Sequence, residues 1–75
     1  MVNKAASADT VYKLVEVIGT STQSWDDAAK NAVETASRTL RDLRIAEVVE
    51  LDVKVENGKV RAFRARMRLS FKYGS

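Results

Sequence analysis

One stretch of this chain repeats with the period of a helix, and the rest must be arranged around it. From Ser24 to Leu43, SWDDAAKNAVETASRTLRDL, the residues Trp25, Ala29, Ala32, Ala36, Leu40 and Leu43 recur three or four apart and form one apolar stripe. Asp26, Lys30, Glu34, Ser37, Arg41 and Asp42 fall off that stripe and are expected to face water. Ser24 is a good N-cap, because its hydroxyl can accept from an early backbone N–H. Asp26 and Asp27 stand in the first turn and Arg38 and Arg41 toward the end, the order that the helix dipole favours. The stripe is rich in alanine, with a large residue at each end. Small side chains let a helix lie close to a flat surface, so the pattern predicts a helix lying on a sheet.

The flanking segments supply that sheet. Thr10 to Gly19, TVYKLVEVIG, is rich in β-branched and aromatic residues and reads as a strand. Val11, Val15 and Val17 point one way, and Tyr12, Leu14 and Ile18 the other. Both faces are largely apolar, which suits a strand covered on two sides. Gly19 to Gln23 reads as a turn into the helix cap. Arg44 to Glu56 is a second strand, with Val49, Leu51, Val53 and Val55 alternating against Glu50, Asp52, Lys54 and Glu56. Asn57-Gly58 is a strong turn signal. Val60 to Tyr73 alternates again, with Phe63, Ala65, Met67, Leu69, Phe71 and Tyr73 against Arg64, Arg66, Arg68, Ser70 and Lys72. The expected fold class is α+β, in the order β-α-β-β.

Parity restricts how the last two strands pair. Residues opposite one another in an antiparallel pair share a face, and on both strands the apolar residues carry odd numbers. A two-residue loop at Asn57-Gly58 would set Glu56 against Lys59 and apolar against charged residues throughout, so a three-residue loop with a G1 bulge is expected instead. That register places Glu50 and Asp52 beside Arg64 and Arg66. Length adds a further constraint. The second strand, at about 3.3 Å per residue, is about 43 Å long; the helix, at about 1.5 Å per residue, is about 30 Å. The hairpin outreaches its cover while keeping its apolar pattern, and an exposed apolar patch marks an interface. A homo-oligomer is therefore expected.

Composition excludes several functions. With 75 residues the chain makes one domain, read as a flexible tail over 1–9 and a folded unit over 10–75. There is no cysteine and no histidine, so disulfides, thiolate metal sites and the commonest general base are absent. No nucleophile-and-base set or phosphate-cradling glycine loop is present, and no enzymatic activity is expected. No apolar run approaches the roughly 20 residues of a membrane span, and no signal-peptide core is visible; the reading is a cytoplasmic protein without a membrane partner. The net charge of +3 is unevenly spread. Residues 1–59 carry eight basic and ten acidic side chains; residues 60–75 carry five basic and none acidic. The row Arg61, Arg64, Arg66, Arg68 and Lys72 could bind a polyanion, but Glu50 and Asp52 are placed to pair with it. Phe63 and Phe71 lie on the opposite face and cannot stack beside those charges.

The ordered set VYKLVEVIGTS, SWDDAAKNAV, TLRDLRIAEVVEL and RMRLSFKY resembles the dodecins over about Val11 to Tyr73. The best-matched points are Ile18-Gly19-Thr20-Ser21 and Ala46-Glu47-Val48. The resemblance implies a three-stranded antiparallel sheet wrapped around one helix, twelve copies forming a hollow sphere, and a binding or storage role for a small ligand. Most characterised dodecins stack flavins on a tryptophan and hydrogen-bond them with a glutamine. Here those positions are Ile45 and Arg64. Ile45 lacks a π-face, and loss of ring stacking costs about 1–3 kcal/mol per ring. Arg64 has donors only. Binding of FMN or riboflavin is therefore expected to be weakened. Trp25, on the helix stripe, is read as a core residue. The helix start and the aliphatic residue before Ala-Glu-Val look like the subgroup that lacks the tryptophan and is associated with calcium. Calcium or another hard cation wants oxygen ligands, and the candidate carboxylates are Glu16, Glu47, Glu50 and Asp52. Flavin storage is the second reading, and nucleic-acid binding through the basic last strand is the third.

Overall fold

The computed structural model describes residues 10–74; the tail expected over residues 1–9 lies outside the described residues. Four elements follow in the expected order: β1 (Val11–Ser21), α1 (Trp25–Ser37), β2 (Leu43–Glu56) and β3 (Lys59–Gly74). The sheet is antiparallel with the order β1-β3-β2, so the longest strand is central and both shorter strands are edges. Among the described residues no helix is long and apolar enough to cross a membrane.

The helix starts as expected and stops early. Ser24 is the N-cap, its hydroxyl accepting from the Asp27 N–H at 3.0 Å, and Asp26 and Asp27 fill the first turn. The apolar spacing predicted helix through Leu43, but α1 ends at Ser37. Hydroxyl side chains take up carbonyls of the last turn: Ser37 donates to Val33 O at 2.8 Å and Thr39 to Ala36 O at 3.4 Å. Such bonds compete with the backbone ladder. Arg38 N–H turns to Thr35 O at 3.2 Å, the tightening typical of a helix end. Asp42, at φ 58°, then reverses the chain into β2. Arg38 thus caps the helix, and Arg41 lies beyond it. The buried face is also rotated from the predicted stripe. It is Ala28, Ala32 and Ala36, while Trp25 is 39% exposed. Trp25 meets Phe63 edge-on at 5.2 Å and donates from Nε1 to the Asp52 carbonyl at 2.9 Å. It straps the helix start to the hairpin from outside the core.

At the hairpin the structure corrects the expected loop. Glu56 pairs with Lys59 across a two-residue Asn57-Gly58 turn, with φ 53° and 72°. Both residues are left-handed, as a type I′ turn requires. Parity is restored by a bulge at Arg61, which has no partner, so that Val53 faces Phe63 and Leu51 faces Ala65. A second bulge, at Val49, flips the register again. Beyond it Val48 pairs with Met67 and Ala46 with Leu69, while Glu47 turns to the other face opposite Arg68. Bulges increase local twist, and here they coil the long hairpin. β1 also runs further than predicted. Gly19, Thr20 and Ser21, read as the start of a turn, pair with Ala65, Arg64 and Phe63.

The core is small. Ala28, Ala32 and Ala36 of α1 meet Ala65, Met67 and Leu69 of β3. Gly19 lets them do so. A Cβ there would collide with the Ala28 carbonyl oxygen and lie 2.7 Å from the Ala32 Cβ. The radius of gyration is 16.0 Å and the extents are 57 × 25 × 15 Å, whereas a compact chain of this length has a radius of about 11 Å. The hairpin projects past its helix, and Val55 and Val60 near its tip are more than half exposed. Replacing Gly19→Ala should lower stability by about 1–3 kcal/mol through overpacking, read from the thermal midpoint at fixed protein concentration; an unchanged midpoint would show that α1 can lift off β1 freely.

Candidate functional site

The face of the sheet away from α1 carries the charged residues, and the register arranges them in rows across three strands. Asp52 pairs with Arg64, which pairs with Thr20; Glu50 pairs with Arg66, which pairs with Ile18. Glu47, Arg68 and Glu16 form the next row, then Ile45, Ser70 and Leu14. Lys72 and Tyr12 close the series. Even-numbered residues of β1 and β3 reach this face because side chains alternate along each strand; Glu47 and Ile45 reach it only because of the Val49 bulge.

Ion pairs run down the face. Arg64 grips Asp52 with both ends of its fork, Nε to Oδ1 at 2.6 Å and Nη2 to Oδ2 at 2.8 Å. Bidentate, charge-assisted bonds of this kind are the strong ones. They hold the Asp52 carboxyl below its ordinary value, against a weaker opposing effect of desolvation, and they raise Arg64. Arg66 lies 3.6 Å from Glu50. Arg68 bridges all three strands, reaching Glu16 at 3.3 Å and Glu47 at 3.5 Å. Arg61 meets Glu56 at 3.4 Å. The expected pairing of Arg64 and Arg66 with Asp52 and Glu50 is present. The partners of Arg68 and Arg61 went unseen in the sequence, because β1 had no assigned neighbour and Arg61 sits on an unforeseen bulge. Lys72 alone in the basic row has no ion pair among the described residues.

The candidate cation ligands Glu16, Glu47, Glu50 and Asp52 share this face but are spread over three rows, each committed to an arginine. Among the described residues no three acidic groups converge as metal ligands. A single chain therefore does not by itself fit the six to eight oxygens that calcium takes. Ile45 is 57% exposed beside Ser70. No aromatic side chain stands at that position, and Arg64 is held by Asp52; these two residues do not fit a stacked, hydrogen-bonded flavin ring.

A family model described as dodecin matches residues 11–74. A protein named calcium dodecin from Mycobacterium tuberculosis is 40% identical over 63 residues, covering 84% of this chain and 89% of that protein. The crystal structure of the calcium-chelating calcium dodecin from the same organism superposes with a TM-score of 0.76 at 40% identity, covering 84% and 90% of the two chains. Dodecin from Streptomyces coelicolor superposes with a TM-score of 0.83 at 35% identity, covering 91% and 97%.

Two outcomes are expected of the charged face. The double change Glu50→Gln with Asp52→Asn should release Arg64 and Arg66 and raise affinity for heparin or DNA at low salt, where attraction is least screened. Equal affinity of both proteins would mean that the pairs do not hold the arginines. The pH response follows from Asp52. Its folded value is depressed, so its contribution is full above the unfolded value of 3.8 and is lost as pH falls through the lower folded value. Acid unfolding below pH 3.8 should be shallower in Asp52→Asn than in the unmodified protein, followed by circular dichroism.

Proposed function

The chain belongs to the dodecin family, and from that membership we propose that it assembles into a homododecameric shell that binds or stores a small ligand or ion without catalysing a reaction. The observation that supports the reading is that the two residues the resemblance assigns to the flavin site, an exposed Ile45 and an Arg64 locked to Asp52, lack the groups that stack on and bind the ring. The shell is supported by the long, thinly covered hairpin, and the altered positions direct attention away from flavin. Calcium is the first candidate ion, because the relative at 40% identity is a calcium dodecin. Glu16, Glu47, Glu50 and Asp52 are the candidate ligands. A cation would draw them from neighbouring copies, with backbone carbonyls or waters completing its shell. Flavin storage is the weaker reading. Nucleic-acid binding is weaker still, because Arg61, Arg64, Arg66 and Arg68 are all ion-paired.

Light scattering should give a particle of twelve 8.3-kDa chains; a monomer or dimer at micromolar concentration would sink the shell. Metal analysis of protein purified without added ligand tests the ion. Riboflavin fluorescence should be quenched only weakly by the unmodified protein, more strongly by Ile45→Trp, and most by Ile45→Trp with Arg64→Gln. Nanomolar quenching by the unmodified protein would overturn the reading of Ile45.

A further inference from the structure

Asn57 and Gly58 form the exposed tip of the hairpin between β2 and β3. The closing pair is Glu56 and Lys59, so the last ladder bonds belong to those two residues. Neither the Gly58 N–H nor the Asn57 carboxamide makes a hydrogen bond among the described residues. A Cβ at Gly58 would meet nothing within 4 Å, so no neighbour crowds the Gly58 backbone. The turn also has a route to ring closure that leaves the strands paired. Types I′ and II′ both join two-residue hairpins, and they differ by a flip of the peptide unit between the two central residues. The flip carries ψ of Asn57 from about +30° to about −120°, and φ of Gly58 from the left-handed region to about −80°. In the flipped turn the Gly58 nitrogen eclipses the Asn57 Cβ, which is the geometry of a five-membered ring closed onto Cγ. Gly58, at φ 72° in the structure, can make this swing because it has no side chain.

We propose that Asn57 is a site of spontaneous modification in the folded protein, converting to aspartate and isoaspartate through a cyclic imide with Gly58. The Gly58 amide gives its proton to hydroxide, and its nitrogen attacks Asn57 Cγ. A C–N bond forms, the bond from Cγ to the side-chain nitrogen breaks, and ammonia leaves with a proton from water, which regenerates the hydroxide. Water then opens the ring at one of its two carbonyls. Opening at Cγ gives aspartate; opening at the main-chain carbonyl gives isoaspartate, with the main chain running through Cβ and Cγ. Overall one water is consumed and one ammonia released, and nothing is oxidised or reduced. Aspartate keeps a residue that suits the turn, because Asp-Gly is also a type I′ sequence. Isoaspartate adds a main-chain atom to a two-residue loop. Asn31, the other asparagine in 10–74, lacks these features: it lies within α1, is followed by the buried Ala32, and donates from Nδ2 to the Thr20 carbonyl at 3.0 Å.

The test is to age the unmodified protein in mildly alkaline buffer and compare its peptide map with that of an unaged control. Trypsin releases Asn57 in the peptide Val55–Lys59 and Asn31 in the peptide Asn31–Arg38. Conversion at Asn57 should exceed that at Asn31 by at least about tenfold, because a helical asparagine waits on local opening. Isoaspartate, detected by enzymatic methylation of its carboxylate, should accumulate beside aspartate. The rate should rise with pH, since Gly58 must lose a proton. Conversion in the folded protein should stay within about tenfold of that in urea, because a flip at the tip needs no wider unfolding. Asn57→Gln, whose longer side chain cannot close the five-membered ring, should remove the reaction, and Gly58→Ala should slow it. Equal conversion at Asn57 and Asn31, aspartate without isoaspartate, or conversion confined to the unfolded chain overturns the proposal. If Gly58→Ala fails to fold by circular dichroism, Asn57→Gln and the comparison with Asn31 still decide.

Discussion

Close approach of α1 to the sheet governs this structure. Gly19 and the alanines at 28, 32 and 36 bring helix backbone against strand with almost no side chain between them. Short separation makes a dense contact from few atoms, and dense contact is what sustains dispersion attraction. It also limits what one helix can cover. α1 sits over β1 and β3, and at thirteen residues it is about 20 Å long, while β3 has sixteen residues and spans about 53 Å. One helix of that length leaves Leu14, Ile18, Ile45, Leu51 and several valines exposed among the described residues.

The far face follows from the same sheet. Because β3 is central and carries a basic residue at every second position from Arg64 to Arg68, both edge strands supply acids to it: Glu16 from β1, and Glu47, Glu50 and Asp52 from β2. Half-exposed pairs of this kind stabilise by only about 0–1 kcal/mol each. Their larger effect is to cancel the positive potential that the basic segment would otherwise project. A stretch that looks like a polyanion site in sequence is, in the fold, mostly an internally balanced ladder.

Ile45 and Arg64 are the residues that the resemblance to dodecins assigns to the flavin site. Membership in the dodecins establishes the fold, and the fold places Ile45 on the far face two residues before Glu47. Neither Ile45 nor the arginine bound to Asp52 can reproduce stacking or amide recognition of a ring. The bulge at Val49 is what turns Ile45 and Glu47 to that face at all.

Sequence by itself determined the elements. Periods of two and of about three and a half, a serine cap, and Asn57-Gly58 are local signals, and local signals are read residue by residue. It also determined which charges could pair in the middle of the hairpin. What it could not show were the bulges. Parity argued against a two-residue turn only if no residue were skipped, yet two left-handed residues at Asn57-Gly58 were favourable enough for Arg61 to be left unpaired instead. The end of α1 was equally hidden, because Leu40 and Leu43 continue the helical spacing past the point where the Ser37 and Thr39 hydroxyls take up its last carbonyls and Asp42 turns the chain to lay Leu43 beside Phe71. Strand order and the Glu16–Arg68–Glu47 bridge were decided by tertiary structure alone, since each joins residues whose separation in sequence carries no periodic signal.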